Sequence, residues 1–503
     1  IFNTKEQILE HTHQFYTQLY TSQNIDQEEI DKYLNDLNIP TISEEKREEC
    51  DKNFTIDEIN KAIDSLNNNK SPGSDGLAPE FYKKFKEHLT PILVQLYNSI
   101  QINQIMPVSM RESTITLLYK QKGEQTDLKN WRPISLLNID YKILSKILTA
   151  RIKDTLGEII NKQQSCGEKG RNISNNVLSI SAVIEYMNES KIKGALVLID
   201  QEKAFDRMEK NYIVTTLKKF GYGKNIIQWV KTLYQDIFSR IQINGKKTQP
   251  INIARSVRQG CPLSMILYVI GIEILRIKIQ HDKNIVGIDI PNMKEKCKTF
   301  QHADDSSHFI SDHNSYTQLI EHYTQFGKAS GALINHNKTE ILLIGNWRGN
   351  HPGLPPDNVK QNVKTMGVHF GPDHKQRNLD SIMNKLNKHI QTWQNRYYTL
   401  LEKTQIAKTY MFNAIWHEFD HTNFKIKHIK KIERTILQYI WHNGIHKLPK
   451  YTLQKMAKQG GAGIPNLRIK QTTNYLYQIN NLTSKPEYYW QGIYIYWFGT
   501  YLK

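Results

Sequence analysis

A chain of 503 residues with 67 Lys and Arg against 49 Asp and Glu carries a formal charge of +18, which points to a polyanionic partner, with an anionic membrane surface as the weaker option. No apolar stretch approaches the roughly 18–20 residues of a spanning helix, and the four cysteines, Cys50, Cys166, Cys261 and Cys297, lie far apart without a Cys-x-x-Cys pair. Neither a helical membrane span, a disulfide framework nor a zinc module is therefore suggested, and the cysteines read as reduced thiols of a nuclear or cytosolic protein.

The length allows roughly two to four domains. Residues 1–52 read as a helical, highly charged extension with Leu9, Phe15, Leu19 and Tyr20 as its buried stripe. A helix starts after Phe54, where Thr55 can cap and Glu58 completes a capping box, and it is expected to run to Leu66. Residues 67–76, rich in Asn, Gly, Ser and Pro, are a loop. A helix-rich stretch continues towards residue 110, and the β-branched alternation of 111–119 predicts a strand. Lys120, Lys122, Lys129 and Arg132 then form a basic loop, and the apolar spacing from Pro133 to Ile160 is helical again. Residues 194–345 alternate strands and helices, 345–353 is the best linker candidate, and 366–370 reads as a hairpin. Two amphipathic helices follow. In the first, Ile382, Leu386, Ile390, Trp393 and Tyr397 share a face while Lys385, Lys388 and Arg396 point away. In the second, Ile426, Ile429, Ile432, Ile436 and Ile440 form the stripe. Its solvated Lys427, Lys430, Lys431 and Arg434 suit solubility or backbone-phosphate binding. Ile1-Phe2-Asn3 at the start and the aromatic segment 497–503 at the end read as cuts from a longer chain.

The chemistry is carried by acidic residues at strand ends. The apolar, β-branched run 194–199 reads as a buried strand ended by Asp200, and 298–310 as two short strands whose tight turn carries Asp304 and Asp305. On neighbouring strands, these carboxylates would converge on one end of a sheet and offer the hard oxygen ligands that magnesium prefers. A pair of such ions about 3.5–4 Å apart is the usual machinery of a polymerase. Taken alone, an Asp-Asp pair is a solvated turn; its company changes the reading. Phe205, five residues after Asp200, is either a ring under the strand end or a wall that clashes with a 2′-hydroxyl of an incoming nucleotide. Gln259 and Gly260 precede a Pro-containing turn into a helix at Ser264, where a flexible glycine beside an amide permits close approach to a base and sugar. Lys120 and Arg132 could supply the non-metal cations that a triphosphate needs. Lys338 is either a solvated lysine or the proton donor for departing pyrophosphate.

Six segments in one order resemble the reverse transcriptase of non-LTR (LINE-type) retrotransposons. They are Ser71-Pro72-Gly73-Ser74-Asp75-Gly76, Asn130-Trp131-Arg132-Pro133-Ile134-Ser135-Leu136-Leu137, Asp200-Gln201-Glu202-Lys203-Ala204-Phe205-Asp206, Arg258-Gln259-Gly260-Cys261-Pro262-Leu263-Ser264, Ala303-Asp304-Asp305 and Asn335-His336-Asn337-Lys338-Thr339. Residues 459–467 also resemble a segment that these elements carry downstream of the polymerase. The resemblance implies an α+β right-hand polymerase of fingers, palm and thumb. Its expected parts are a helical N-terminal extension (1–52), fingers with the template-binding part (53–193), a palm (194–345), a primer grip and helical thumb (346–450), and the start of a helical C-terminal region (451–503).

It further implies an RNA-directed DNA polymerase that extends a DNA 3′-hydroxyl on an RNA template. Asp200 and Asp304 would hold two magnesium ions with Asp305 beside them, manganese being a possible substitute. Phe205 would exclude ribonucleotides, Gln259 would touch the incoming sugar, and Lys120 and Arg132 would grip the triphosphate. The implied partners are template RNA, primer or target DNA and deoxynucleotides, with no membrane, in a ribonucleoprotein of nucleus and cytoplasm. Three departures from the family pattern stand out: His302 replaces an aromatic residue, Met265 a proline, and the pair Thr365-Met366 a Tyr-Leu. The alternatives are a catalytically decayed copy that only binds RNA and DNA, or an intron-encoded maturase.

Overall fold

A computed structural model describes residues 4–35, 37–168, 170–347, 353–442, 444–482 and 486–501. Residues 348–352 of the expected linker, and 1–3 and 502–503 at the ends, lie outside the described residues.

The strands in chain order are β1 (Glu112–Tyr119), β2 (Trp131–Leu136), β3 (Gly194–Ile199), β4 (Phe238–Ile243), β5 (Lys246–Lys247), β6 (Ile251–Asn252), β7 (Thr299–His302), β8 (Asp305–Ile310), β9 (Glu340–Ile344), β10 (Val363–Thr365) and β11 (Val368–Phe370). A four-stranded antiparallel sheet runs β7-β8-β3-β9. Every residue of β3 is buried, which explains an apolar run without alternation: both faces of the sheet are covered. Ala195, Val197 and Ile199 enter one core with Leu267 and Tyr268 of helix Ser264–His281. Leu196 and Leu198 enter a second with Val177, Ile180 and Val183 of helix Ile173–Glu189 and with Trp490. The two-residue side-chain period of a strand thus assigns each residue of β3 to its core.

A second sheet runs β2-β1-β4-β5, with β6 also paired to β4. Here one sequence expectation is corrected. The segment from Pro133 is not helical at its start, because 131–136 pairs antiparallel with β1, Leu117 facing Pro133. An edge position tolerates a proline that has no N–H to give to the ladder. Helix Ile139–Lys153 begins only after it.

The N-terminal extension forms helices Lys5–Tyr20, Gln27–Leu34 and Glu44–Asp51. Its stripe is Thr12, Tyr16, Leu19 and Tyr20, whereas Leu9 and Phe15 are half-buried. The Thr55–Glu58 capping box is present, on a helix that ends at Asp64 rather than Leu66.

A third core gathers Leu379, Ile382, Leu386, Ile415, Ile432 and Ile436, from helices His374–Trp393, Asn413–Asp420 and Ile426–Ile440 beside the β10–β11 hairpin. Three details differ from the periodicity reading. Tyr397 lies beyond the first helix and is exposed, and Ile426 in the first turn of the second is 52% exposed. Lys385 keeps 41% of its side chain exposed, yet its Nζ reaches Glu418 Oε1 at 2.5 Å. Among the described residues no helix is long and apolar enough to cross a membrane, and all four cysteines are free and buried.

Candidate active site

Strand register brings the carboxylates together. β3 and β8 pair up to Ile199 and Ser306, so Asp200, one residue on, emerges across from Asp305, the first residue of β8. β7 and β8 close at His302 and Asp305, leaving Ala303-Asp304 as the turn. Ala303 holds a left-handed φ of 53°, which a residue with a Cβ adopts at a cost. Its N–H is held by Gln164 Oε1 at 3.0 Å, and Gln164 itself is bridged to Gln301 of β7. On the other side, Asn335 N–H donates to Asp200 O and Glu202 N–H to Leu333 O, both at 2.8 Å. Those bonds set the short helical turn His336–Lys338 next to Asp200.

All eight residues singled out from the sequence, Lys120, Arg132, Asp200, Phe205, Gln259, Asp304, Asp305 and Lys338, line one cleft of about 900 Å³. The three carboxylates are open to the cleft, yet burial among protein atoms is the largest influence on each and raises them all. Asp305 reaches about 6, pushed up by burial and then by Asp304 and Asp200. Asp200 is pulled back by Lys338 and Lys120. Lys120 is lowered by burial and then by the cations Lys338 and Arg132. The cleft therefore has an acidic pole of mutually repelling carboxylates and a basic pole of mutually repelling cations, an arrangement that takes a metal at one end and a polyanion at the other.

Among the described residues no three His, Cys, Asp or Glu side chains close on a single point to enclose a cation. The donor set nevertheless fits magnesium, a hard ion held through one or two carboxylates with water and substrate phosphate completing its shell.

Phe205 stacks on Tyr268 with centroids 4.5 Å apart and 17° between planes, so its ring is fixed from behind. Gln259 Nε2 donates to Asp206 Oδ2 at 3.0 Å, and the main-chain carbonyl of Gln259 accepts from Ser135 N–H at 2.7 Å. Gly260 has φ +115°, and a Cβ there would stand 2.5 Å from the Ser135 carbonyl oxygen. Of the departures from the family pattern, His302 bonds Ser165 Oγ through Nδ1 at 3.0 Å. Met265 lines the cleft with its sulfur 3.4 Å from Cys166 Sγ, and Thr365 Oγ1 lies 3.0 Å from Ser307 Oγ.

Sequence reasoning gave no role to several residues now seen in or under the cleft. Asp206 is 2% exposed, and burial raises it to about 7 against the pull of Lys203 and Lys120. Lys203 lies over the rings of Phe15 and Tyr16 at 5.4 and 5.7 Å. Arg258, 2% exposed, reaches Arg111 O through Nη2 at 2.8 Å. Tyr268 and Gln164 brace Phe205 and the Ala303 turn. Asp206, Lys203 and Arg258 fall inside recognisable segments, but nothing local to those segments signals their burial. Tyr268 and Gln164 had no signal at all.

The family profile described as reverse transcriptase (RNA-dependent DNA polymerase) matches residues 119–370. A transposon TX1 protein of Xenopus laevis is 28% identical over 495 residues, covering 96% of this chain and 37% of its own length. A retrovirus-related Pol polyprotein from a type-2 retrotransposable element of Drosophila melanogaster is 21% identical over 432 residues, covering 82% and 39%. A related polyprotein from a type-1 element of Popillia japonica is 22% identical over 414 residues, covering 79% and 56%. The chain thus spans less than two thirds of each of these relatives.

Proposed function

Because this chain belongs to the reverse transcriptase (RNA-dependent DNA polymerase) family, we propose that it is the RNA-directed DNA polymerase of a LINE-type retroelement, extending a DNA 3′-hydroxyl on an RNA template. One observation carries the proposal: three carboxylates from adjoining strands face Lys120, Arg132 and Lys338 across a single cleft. The +18 charge agrees with RNA and DNA as partners.

In this reading the first sheet is the palm, within 194–345. Fingers and the template-binding part lie in 53–193, the primer grip and helical thumb in 346–450, the extension in 1–52, and the start of a C-terminal region in 451–503. A ribonucleoprotein of nucleus and cytoplasm is the corresponding setting.

Lys120 and Arg132 orient the triphosphate, Arg132 with the fixed fork of a guanidinium. Phe205, braced by Tyr268, stands against the sugar and leaves no room for a 2′-hydroxyl. Gln259 touches the same sugar. Asp200, Asp304 and Asp305 would hold two magnesium ions, or manganese in their place. When bound, these ions lower the pKa of the primer hydroxyl and neutralise charge on the leaving pyrophosphate. The primer 3′-hydroxyl gives its proton to solvent as its oxygen bonds to the α-phosphorus and the α–β phosphoanhydride breaks, and Lys338 donates a proton to the departing pyrophosphate. Much of the rate comes from holding these groups in register.

Primer extension on an annealed RNA template, with deoxynucleotides and magnesium, tests the proposal beside the Asp304→Ala protein. Extension by the parent alone supports it. Equal extension by both would overturn the site assignment. Tight, salt-sensitive binding without incorporation in magnesium or manganese would mean a decayed copy that keeps only its grip on nucleic acid.

A further inference from the structure

The stretch around Gln164 lies outside all six family segments, yet it closes the edge of the sheet that carries the carboxylates. Gln301 N–H of β7 donates to Gln163 O at 2.9 Å, and Ser165 N–H donates to Gln301 O at 3.0 Å, with a parallel bridge between Gln164 and Gln301. Asn176 Nδ2 ties both chains, donating to Gln163 O at 2.7 Å and Gln301 O at 3.1 Å. Arg171 donates to the main-chain carbonyls of Ile160 and Gln164 at 2.6 and 2.9 Å. Asn161 N–H reaches Glu273 Oε1 at 3.1 Å, a fully buried carboxylate on the helix Ser264–His281 that starts in the cleft. The backbone of Gln164 is therefore fixed against the sheet on one side and that helix on the other.

Its side chain is fixed as well. Gln164 is fully buried, and two main-chain N–H groups, Ala303 at 3.0 Å and Cys166 at 3.2 Å, converge on its Oε1. An amide nitrogen could accept from neither, so only one orientation of the carboxamide serves both. Nε2 is left buried without a partner among the described residues, a costly state for a donor. What the arrangement gains is an acceptor directly under the turn. Ala303 needs one, because at φ 53° a residue with a Cβ is outside its preferred range. The bond opposes relaxation of φ towards negative values, which would swing Asp304 about the Ala303 N–Cα bond and away from its place in the cleft beside Asp200 and Asp305.

We propose that Gln164 is a positioning residue of the metal site: by accepting from Ala303 N–H it holds the strained turn that presents Asp304 to the cleft, and so sets how tightly the carboxylates take a divalent cation. This inference rests on the polymerase reading above, which assigns those carboxylates to magnesium.

Manganese is the probe. Its binding to the free protein is read by electron paramagnetic resonance, from the loss of the free-ion signal, in the parent, Gln164→Met, Ala303→Gly, the double variant and Asn176→Ala. Methionine keeps the length of the side chain but offers no oxygen, so Gln164→Met is expected to weaken manganese binding by about 5- to 10-fold. The half-saturating magnesium concentration in primer extension should rise by the same factor. Glycine takes a positive φ without strain, so in the Ala303→Gly background the loss caused by Gln164→Met should shrink to within about twofold. Asn176→Ala loosens the same sheet edge without touching the turn; it should lower the urea midpoint and leave manganese affinity at the parental value. If Gln164→Met does not fold, Gln164→Asn, whose oxygen falls a methylene short of Ala303 N–H, carries the comparison. A loss of equal size in both backgrounds would reduce Gln164 to part of the sheet edge and overturn the proposal, as would manganese binding weakened as much by Asn176→Ala. Parental affinity in a folded Gln164→Met would overturn it too. A parent that binds manganese no better than Asp304→Ala removes the metal reading of the cleft itself, and this inference with it.

Discussion

Replacing Gly260 by alanine is expected to damage nucleotide use far more than it damages the fold. The residue sits at φ +115°, a region open to glycine and costing other residues about 1–3 kcal/mol. The added Cβ would also stand 2.5 Å from the Ser135 carbonyl oxygen. Reaching a tolerable C···O separation of about 3.3 Å requires the two backbones to part by roughly 0.8 Å. That strain cannot relax through a flexible side chain, because the clashing atom belongs to β2, and Ser135 N–H is bonded to Gln259 O at 2.7 Å. Opening the gap moves Gln259 on one side and the strand that carries Arg132 on the other, both of which line the cleft. A misplacement near 1 Å at a reacting site costs on the order of 10²-fold. We therefore expect Gly260→Ala to lose about two orders of magnitude in kcat/KM for deoxynucleotides, with about 2 kcal/mol of stability lost. Template-primer binding by fluorescence anisotropy should stay close to the parent. Steady-state primer extension and urea unfolding measure the two quantities; parental kcat/KM in the variant would refute the argument that β2 and Gly260 set the cleft.

Three further outcomes are expected. His308 is fully buried, between Thr299 and Tyr323, and burial lowers it to about 3; the unfolded chain therefore takes up its proton near pH 6.5 and the folded chain does not. Stability should fall as pH drops from 6.5 towards 3, by about 2 kcal/mol at pH 5 from this group, and His308→Gln should remove that share of the pH dependence in urea unfolding; an unchanged slope would count against it. Lys385→Met should cost about 3 kcal/mol, because Glu418, 1% exposed, would be left buried without its cation, and adding Glu418→Met should recover most of the loss; thermal unfolding in which the single variant matches the parent would be the contrary result. Magnesium at about ten times its dissociation constant should stabilise the parent by about 1.4 kcal/mol and leave Asp304→Asn unmoved, so an equal thermal shift in both would place the metal elsewhere.

What the sequence alone determined lies within a few residues or within one regular period. Thr55 and Glu58 define their capping box through adjacent turns of one helix. The run 194–199 announces a strand buried on both faces, and Asp304 falls in a turn between two short strands. Seven of the eight nominated residues fall inside the six ordered segments and Lys120 in the basic loop beside them, and the cleft gathers all eight. Other features needed the tertiary structure. Pro133 looked helical by spacing, but pairing with β1 made its segment an edge strand, since ladder partners lie elsewhere in the chain. Lys385 looked solvated because its partner Glu418 belongs to another helix. Asp206 stood in plain view inside a recognisable segment. Its burial, and its bond from Gln259, exist only because stretches 53 residues apart in the chain meet at one point. Periodicity and capping act over one or two turns of chain, whereas desolvation and the hydrogen bonds that offset it are set by whatever the fold brings alongside.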